Sequence, residues 1–453
     1  MGLIASRTKA ASSGSGQHVV GAFVVDPNNV TGNASNSNNG ILVADGGTGA
    51  WLTFAAAMTA QGGFSVGNII APHDGTVIEM MGFDVMTAGY DFTAGGSVDT
   101  GYTGDKIIVR AYPGYERLSG FDCVGNTSTL IASMLNGDGP MKLHTANWRF
   151  EDLRFKTDYQ MFTVDGEGNH FIRCLQLDDS DDTTSNDNTG VLAVKGASNR
   201  SAGFHMDECV FYGHERTGLN AAGFYIRQCE NFWIRRSILM NRGGGPGHYY
   251  KHSQLVMPGP GDCIYEYCLF SNRSTGRGGW YGMCNGSEFS HCIFDTSSGG
   301  GSYGGDDGGA DGAGNNTNNT FEYCTFPGAF SNIRDGNNGV NGQDNTIRNS
   351  IIGGQLTIWN NLSGTHNTTL NYNAYGANIH EFTTARNLSQ WQTYYGQDAN
   401  SVAGSPTFVA TTDPTDPSTY ALAGGSVGEN AAENGQDMGA AAALVGPQTW
   451  SGW

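Results

Sequence analysis

One six-residue element recurs between residues 150 and 375 of this 453-residue chain. It has an apolar residue, two residues of any kind, a small residue or cysteine, one further residue, and a second apolar residue. The copies read Phe150-Glu-Asp-Leu153-Arg-Phe155, Met206-Asp-Glu-Cys209-Val-Phe211, Ile234-Arg-Arg-Ser237-Ile-Leu239 and Tyr265-Glu-Tyr-Cys268-Leu-Phe270. They continue as Phe289-Ser-His-Cys292-Ile-Phe294, Phe321-Glu-Tyr-Cys324-Thr-Phe326, Ile347-Arg-Asn-Ser350-Ile-Ile352 and Leu370-Asn-Tyr-Asn373-Ala-Tyr375. Phe171-Ile-Arg-Cys174 is a weaker copy, with Gln176 at the second apolar position. The copies are unequally spaced. A constant element at variable intervals means constant strands joined by loops of different length, and Gly/Asn/Ser/Asp-rich stretches such as 296–319 supply the loops.

No copy has enough apolar surface to fold alone, so each must stack on its neighbours and bury a shared column. Strands of successive turns then lie about 4.8 Å apart, and equivalent side chains form ladders. Cys174, Cys209, Cys268, Cys292 and Cys324, continued by Ser237, Ser350 and Asn373, read as one inward ladder at a tight turn. The expected fold is all-β, a single-stranded parallel β-helix of about a dozen coils and about 60 Å. The composition agrees. The 69 glycines disfavour long helices, keep no collagen period, and displace charge: only 14% of residues are charged, against about 25% ordinarily. A formal charge of −19 argues against nucleic-acid binding, and no apolar run is long enough to span a membrane.

Further segments resemble the right-handed parallel β-helix superfamily, often called pectate-lyase-like. Asp105-Lys-Ile-Ile-Val-Arg-Ala-Tyr-Pro-Gly114 is similar to an early coil running into a Tyr-Pro-Gly turn. Trp51-Leu-Thr-Phe-Ala-Ala-Ala-Met58 resembles the short N-terminal capping helix. Ser405-Pro-Thr-Phe408 and residues 420–440 resemble the closing coil, with Asp437-Met-Gly-Ala440 intact and Val427 where proline is usual. The resemblance spans about residues 45–445. It implies a right-handed coil, but the fold hosts lyases, hydrolases, tailspikes and non-catalytic proteins, so it does not choose an activity. By domain, residues 1–44 read as an attachment arm, 45–445 as the solenoid and 446–453 as a C-terminal tail whose Trp450 and Trp453 are expected to pack on another surface. Nine cysteines, an odd number, with no C-x-x-C pair read as buried thiols rather than a disulfide framework or zinc site.

Enzymes of this family work on the outer face of one sheet. Lyases use Lys, Arg or His as base beside a carboxylate that a cation neutralises. The cluster Arg235, Arg236, Arg242, His248, Lys251 and His252 could supply such a base and bind a uronate. Its alternative is outward strand residues plus a solvated loop. Asp178, Asp179, Asp181, Asp182 and Asp187, and separately Asp306, Asp307 and Asp311, could bind Ca²⁺ through oxygen. Neither run has EF-hand spacing, and each also reads as an acidic surface loop. No cofactor is required. Tyr249, Tyr250, Trp280 and Tyr281 could stack on sugar rings or pack under loops. Asn188-Thr-Gly190 and Gly247-His248-Tyr249 break the polygalacturonase motifs.

Three functions follow as expectations. The first is a virion-associated bacteriophage protein (tailspike, fibre or capsid decoration), a homotrimer held to other virion proteins through residues 1–44. It would be assembled without a legible signal peptide and could bind a host glycan. The second is a Ca²⁺-dependent polysaccharide lyase on an acidic glycan. The third is a non-catalytic glycan-binding adhesion module, extracellular in location.

Overall fold

A computed structural model describes residues 22–60, 64–65, 68–69, 76–86, 90–92, 107–123, 141–143, 148–157, 162–164, 168–178, 192–195, 201–202, 205–212, 224–227, 229–230, 232–241, 248–251, 263–272, 280–283, 286–295, 302–304, 318–328, 330–334, 345–359, 368–381, 384–413 and 415–448. The chain winds as a right-handed parallel β-helix whose coils each contribute one strand to each of three sheets. Sheet 1 has 12 strands, from Phe23–Val25 to Thr369–Asn371. Sheet 2 also has 12, from Phe83–Val85 to Val402–Ala403, and sheet 3 has 14. Pairing is parallel except at the two ends of sheet 3.

The repeated element is the corner from sheet 1 into sheet 2. Its first apolar residue is the last but one of a sheet 1 strand and stacks on its equivalents: Phe150 on Phe171, Met206 on Ile234, Tyr265 on Phe289, and Phe289 on Phe321. Its last apolar residue is the second of a sheet 2 strand, where Phe270, Phe294 and Phe326 stack with centroids 5.0 and 4.8 Å apart. Gln176 takes a fully buried place in that column, between Phe155 and Phe211.

The third residue of each copy turns the corner with a left-handed backbone. Asp152, Arg173, Glu208, Arg236, Tyr267, His291, Tyr323, Asn349 and Tyr372 all have φ between 44° and 57°. Such a conformation costs a non-glycine residue about 1 kcal/mol or more. It is offset because the turned N–H donates to the next coil, as in Asp152 to Ile172 O and Arg236 to Glu266 O.

The fourth position explains the preference for Cys, Ser and Asn. The side chain is buried and small, and it also bonds along the rod axis. Cys174, Cys209 and Cys268 thiols donate to carbonyls of the preceding coil at 3.4 Å. In the other direction, Cys209 N–H donates to Ser237 Oγ (3.1 Å), Cys324 N–H to Ser350 Oγ (3.0 Å) and Ser350 N–H to Asn373 Oδ1 (3.0 Å). A plain apolar residue would fill the corner but leave those amides without an acceptor. Seven cysteines are buried and none of them forms a disulfide.

The ends are closed differently. Phe54–Ala60 is a helix whose Phe54 lies edge-on to Phe121 at 5.2 Å, and Asp84 Oδ2 accepts the Phe54 N–H. Phe23–Val25, inside the segment read as an arm, already pairs with Val77–Met80 in sheet 1. The strand is too short and too far from the repeats to be recognised from its residues. At the other end, Asn387 and Gln390 form a reciprocal cap on helix Leu388–Tyr395, and Trp391 is buried.

Residues 404–413 and 415–446, including the stretch likened to a closing coil, form a strap that runs back along the outside of sheet 2. The Glu433 and Gly439 N–H groups donate to Asn349, Ala440 N–H to Thr325 Oγ1, and Gly446 N–H to Tyr267 O. Gly439 has φ +85°, and a Cβ there would meet Ile351 Cδ1 and Thr325 Oγ1 at 2.6 Å. The strap covers Ile238, Leu269 and Ile293 with Tyr420, Ala442 and Val445, and Ile351 and Ala374 with Ala432 and Met438.

Candidate functional site

Sheet 3 carries an unusual pair of register columns. Ala193, Tyr225, Tyr249, Tyr281 and Tyr303 occupy matching positions on successive strands. Two residues further along those strands, Lys195, Arg227, Lys251 and Met283 form a second column. Positions two apart share a face of a strand. The alternate columns contain Leu143 and Val164, paired through neighbouring strands with Val194 and Ile226, and both Leu143 and Val164 are fully buried. The register positions of the tyrosine and cation columns therefore alternate with those of the buried columns. Their extent is bounded: a register shift at Ser302–Gly304 and Phe330–Arg334 ends the tyrosine run.

His248 and Lys251 end one strand, His248–Lys251, but fall on opposite sides of its alternation. His248 takes the register place of Phe224 and Trp280, whereas Lys251 belongs to the cation column. The remainder of their side-chain geometry lies outside the described residues.

Arg235 and Arg236 sit on another part of the same coil, before its sheet 2 strand. Arg235 ends a sheet 1 strand, 3.8 Å from Glu266 and over the ring of Trp233 at 5.6 Å. Arg236 occupies the corner, with Asp207 at 2.9 Å and Glu208 at 3.3 Å. Burial works against the charge of Arg236, but Asp207, Glu208 and Glu266 outweigh it and raise its pKa. The structure thus joins Arg235 and Arg236 to carboxylates of adjacent coils and places Lys251 on a different sheet. Asp178 ends a sheet 2 strand in register with Thr157. Its side chain, Asp179, Asp181, Asp182, Asp187, Asp306, Asp307, Asp311, Arg242 and His252 lie outside the described residues, as do Trp450 and Trp453. Among the described residues no group of three or more His, Cys, Asp or Glu could hold a metal ion, and no helix is long and apolar enough to cross a membrane.

Sheet 1 has its own outer aromatic strip. His170 stacks on His205 at 4.4 Å, and Trp233 meets His205 edge-on at 5.7 Å. Trp233 Nε1 donates to Glu266 (3.4 Å), so this strip is tied into the Arg235–Glu266 pair.

The sequence reading named Tyr249, Tyr281 and Lys251 but not Tyr225, Tyr303 or Arg227. Their signal is a tyrosine or cation at matching strand positions. Loops of unequal length hide that match until the register is known.

No protein-family model matches the chain, and no curated protein matches it in sequence. Among solved structures it is similar to the crystal structure of pectate lyase Pel9A. The TM-score is 0.54 over 94% of this chain and 97% of that one, at 18% sequence identity. At that identity the likeness supports the fold, a parallel β-helix, and nothing finer.

Proposed function

We propose that the protein engages an acidic polysaccharide along the outer face of sheet 3, and that the reaction suited to this face is eliminative cleavage. The observation that carries the reading is the register of Tyr225, Tyr249, Tyr281 and Tyr303 beside Lys195, Arg227 and Lys251. Aromatic rings one strand apart offer stacking surfaces to successive sugar rings. Like charges directly opposite on neighbouring strands are destabilising, and anionic groups between them would relieve that cost. The net charge of −19 does not oppose this, because at physiological salt charges beyond about 8 Å are screened and the local cations decide.

In the catalytic form of the proposal, Lys251 as its neutral amine takes the proton from the carbon next to a uronate carboxylate. The glycosidic C–O bond on the adjacent carbon breaks as the C=C forms, the leaving sugar oxygen takes a proton, and Arg227 and Lys195 stabilise the charge that develops on the carboxylate. The similarity in fold to a pectate lyase supports this direction. Ca²⁺ held by Asp178 and its neighbours would be an aid to substrate binding. The virion and adhesion readings would keep glycan binding at this face without cleavage.

The test is a panel of acidic polysaccharides with and without Ca²⁺, followed by affinity electrophoresis and by the ultraviolet absorbance of unsaturated uronate. Binding weakened in Lys251→Ala and Arg227→Ala, with absorbance growing in the wild type, supports the full proposal. Binding without absorbance reduces it to a binding module. No binding to any acidic glycan, or binding untouched by both substitutions, overturns it.

A further inference from the structure

The strap and the corner column meet at one titratable group. The His291 ring lies between Tyr267 and Tyr323, with centroids at 4.8 and 4.9 Å and interplanar angles of 1° and 10°. Its Nδ1 accepts the Ala441 N–H of the strap at 3.4 Å. The flanking strap bonds use groups that do not titrate: Ala440 N–H to Thr325 Oγ1 (2.8 Å) and Gly446 N–H to Tyr267 O (2.9 Å). His291 is the only histidine among the nine corner residues, and histidine is the side chain whose ordinary pKa lies near neutral pH.

We propose that His291 is an acid-sensitive latch on the distal end of the strap, residues 440–446, and that its protonation uncovers the apolar outer face of sheet 2 at Ile238, Leu269 and Ile293. The neutral ring offers Nδ1 as an acceptor. The imidazolium carries a proton on both nitrogens and so turns a donor toward the Ala441 donor. The groups facing the ring are the phenols of Tyr267 and Tyr323, Glu322 of the next coil, and the strap backbone. Glu322 is itself paired with Arg348 at 2.9 Å, and Glu433 and Asn434 of the strap lie by Tyr323.

Burial lowers the His291 pKa from its ordinary value, and Glu322 works in the opposite direction. An open strap returns the ring to water, where the value is about 6.5. The open form therefore binds the proton more tightly. Closure is at full strength above about pH 6.5 and weakens as pH falls through that value, until the closed form also protonates. Each pKa unit between the two forms changes the open-to-closed ratio about tenfold.

The experiment is hydrogen exchange of strap peptides followed by mass spectrometry, from about pH 7.5 to about pH 5, always comparing variants at one pH. His291→Asn keeps an acceptor near the position of Nδ1, tolerates the left-handed backbone and does not titrate. Wild type should lose protection at residues 440–446 in acid relative to His291→Asn, with bound hydrophobic dye rising in parallel. His291→Phe should show the loosened strap end at every pH, with circular dichroism reporting whether it folds. An identical acid response in wild type and His291→Asn overturns the latch, as does full protection of the wild type throughout.

Discussion

Sheets 2 and 3 line the same core and differ on the side turned away from it. In sheet 2 the outer column is also mainly apolar: Leu175, Val210, Ile238, Leu269, Ile293, Ile351 and Ala374 are all buried, with Thr325 between Ile293 and Ile351. The chain's own C-terminal strap covers much of it. In sheet 3 the outer column passes from Thr163 and Ala193 to a run of tyrosines beside three cations. The strap bonds reach the corner column and sheet 2. Stacking fixes the inner face of a solenoid, because every coil must match its neighbours. The outer face is free to match a partner. For sheet 2 that partner is internal, and for sheet 3 we propose that it comes from outside.

The comparison breaks most visibly if the internal partner is removed. Ending the chain after Ala403 would strip cover from Ile238, Leu269, Ile293 and Ile351. At about 1.5–3 kcal/mol for each fully buried aliphatic side chain, the loss is of the order of a domain's whole stability, about 5–15 kcal/mol. The truncated chain should aggregate, measured by light scattering after size exclusion. A soluble, monomeric product would show that sheet 2 does not need its strap.

A paired substitution tests the same contrast more gently. Ile293→Ala, under the strap, should cost about 2–5 kcal/mol. Tyr281→Ala, in the sheet 3 column, should change stability by about 0.5 kcal/mol or less while weakening glycan binding. Chemical denaturation of both variants checks the first statement, and affinity electrophoresis the second. Equal destabilisation would mean that sheet 3 is covered as sheet 2 is.

The contrast was only half visible in the sequence. The corner element declared itself because Phe289-Ser-His-Cys292-Ile-Phe294 and its copies keep six consecutive positions, all set by one tight turn. Apolar stacking and a small corner residue can be read from such a string. What could not be read was the bonding of Cys209 N–H to Ser237 Oγ, which needs the coils aligned. The strap was hidden for a related reason. Asp437-Met-Gly-Ala440 looks like the end of a solenoid, yet the requirement for Gly439 comes from Ile351 and Thr325, far away in sequence. Sheet 3 was hardest, since its strands follow loops of unequal length. Tyr225 and Tyr303 cannot be matched until register is known, and the Asp178 and Asp306 loops vary with no repeat to anchor them.

A change in the core beneath both sheets should not separate them. Asp398, under the last coil, accepts a hydrogen bond from Ser401 Oγ, with the Tyr375 phenol near by. Burial pushes its carboxyl up to about 6 from 3.8, and those two groups only partly counter it. The folded state therefore holds the proton more tightly than the unfolded one. The group contributes stability below about pH 3.8 and loses it as pH rises through about 6. At neutral pH the ionised group costs about 3 kcal/mol at about 1.4 kcal/mol per pKa unit. Asp398→Asn, which suits the left-handed backbone there (φ 67°), should be more stable than wild type at pH 7 by up to that amount. It should also flatten the dependence of Tm on pH between about 4 and 7, without altering glycan binding at sheet 3.

The smallest effect is the one that most directly tests the outer partner of sheet 3. Lys251→Ala removes one of three adjacent cations, so binding to an acidic glycan should weaken by about tenfold, the scale of one charge-assisted contact. Stability should hold or rise slightly, because relief of like-charge crowding offsets any lost packing of the lysine stem. Salt distinguishes a true ion contact from lost packing. The gap between wild type and Lys251→Ala should shrink as ionic strength rises and the Debye length falls to about 3 Å near 1 M. The Tyr281→Ala defect should persist, because stacking is not screened. If both defects fade together, the tyrosines contribute nothing of their own, and the sheet 3 face is a charged surface without a sugar platform.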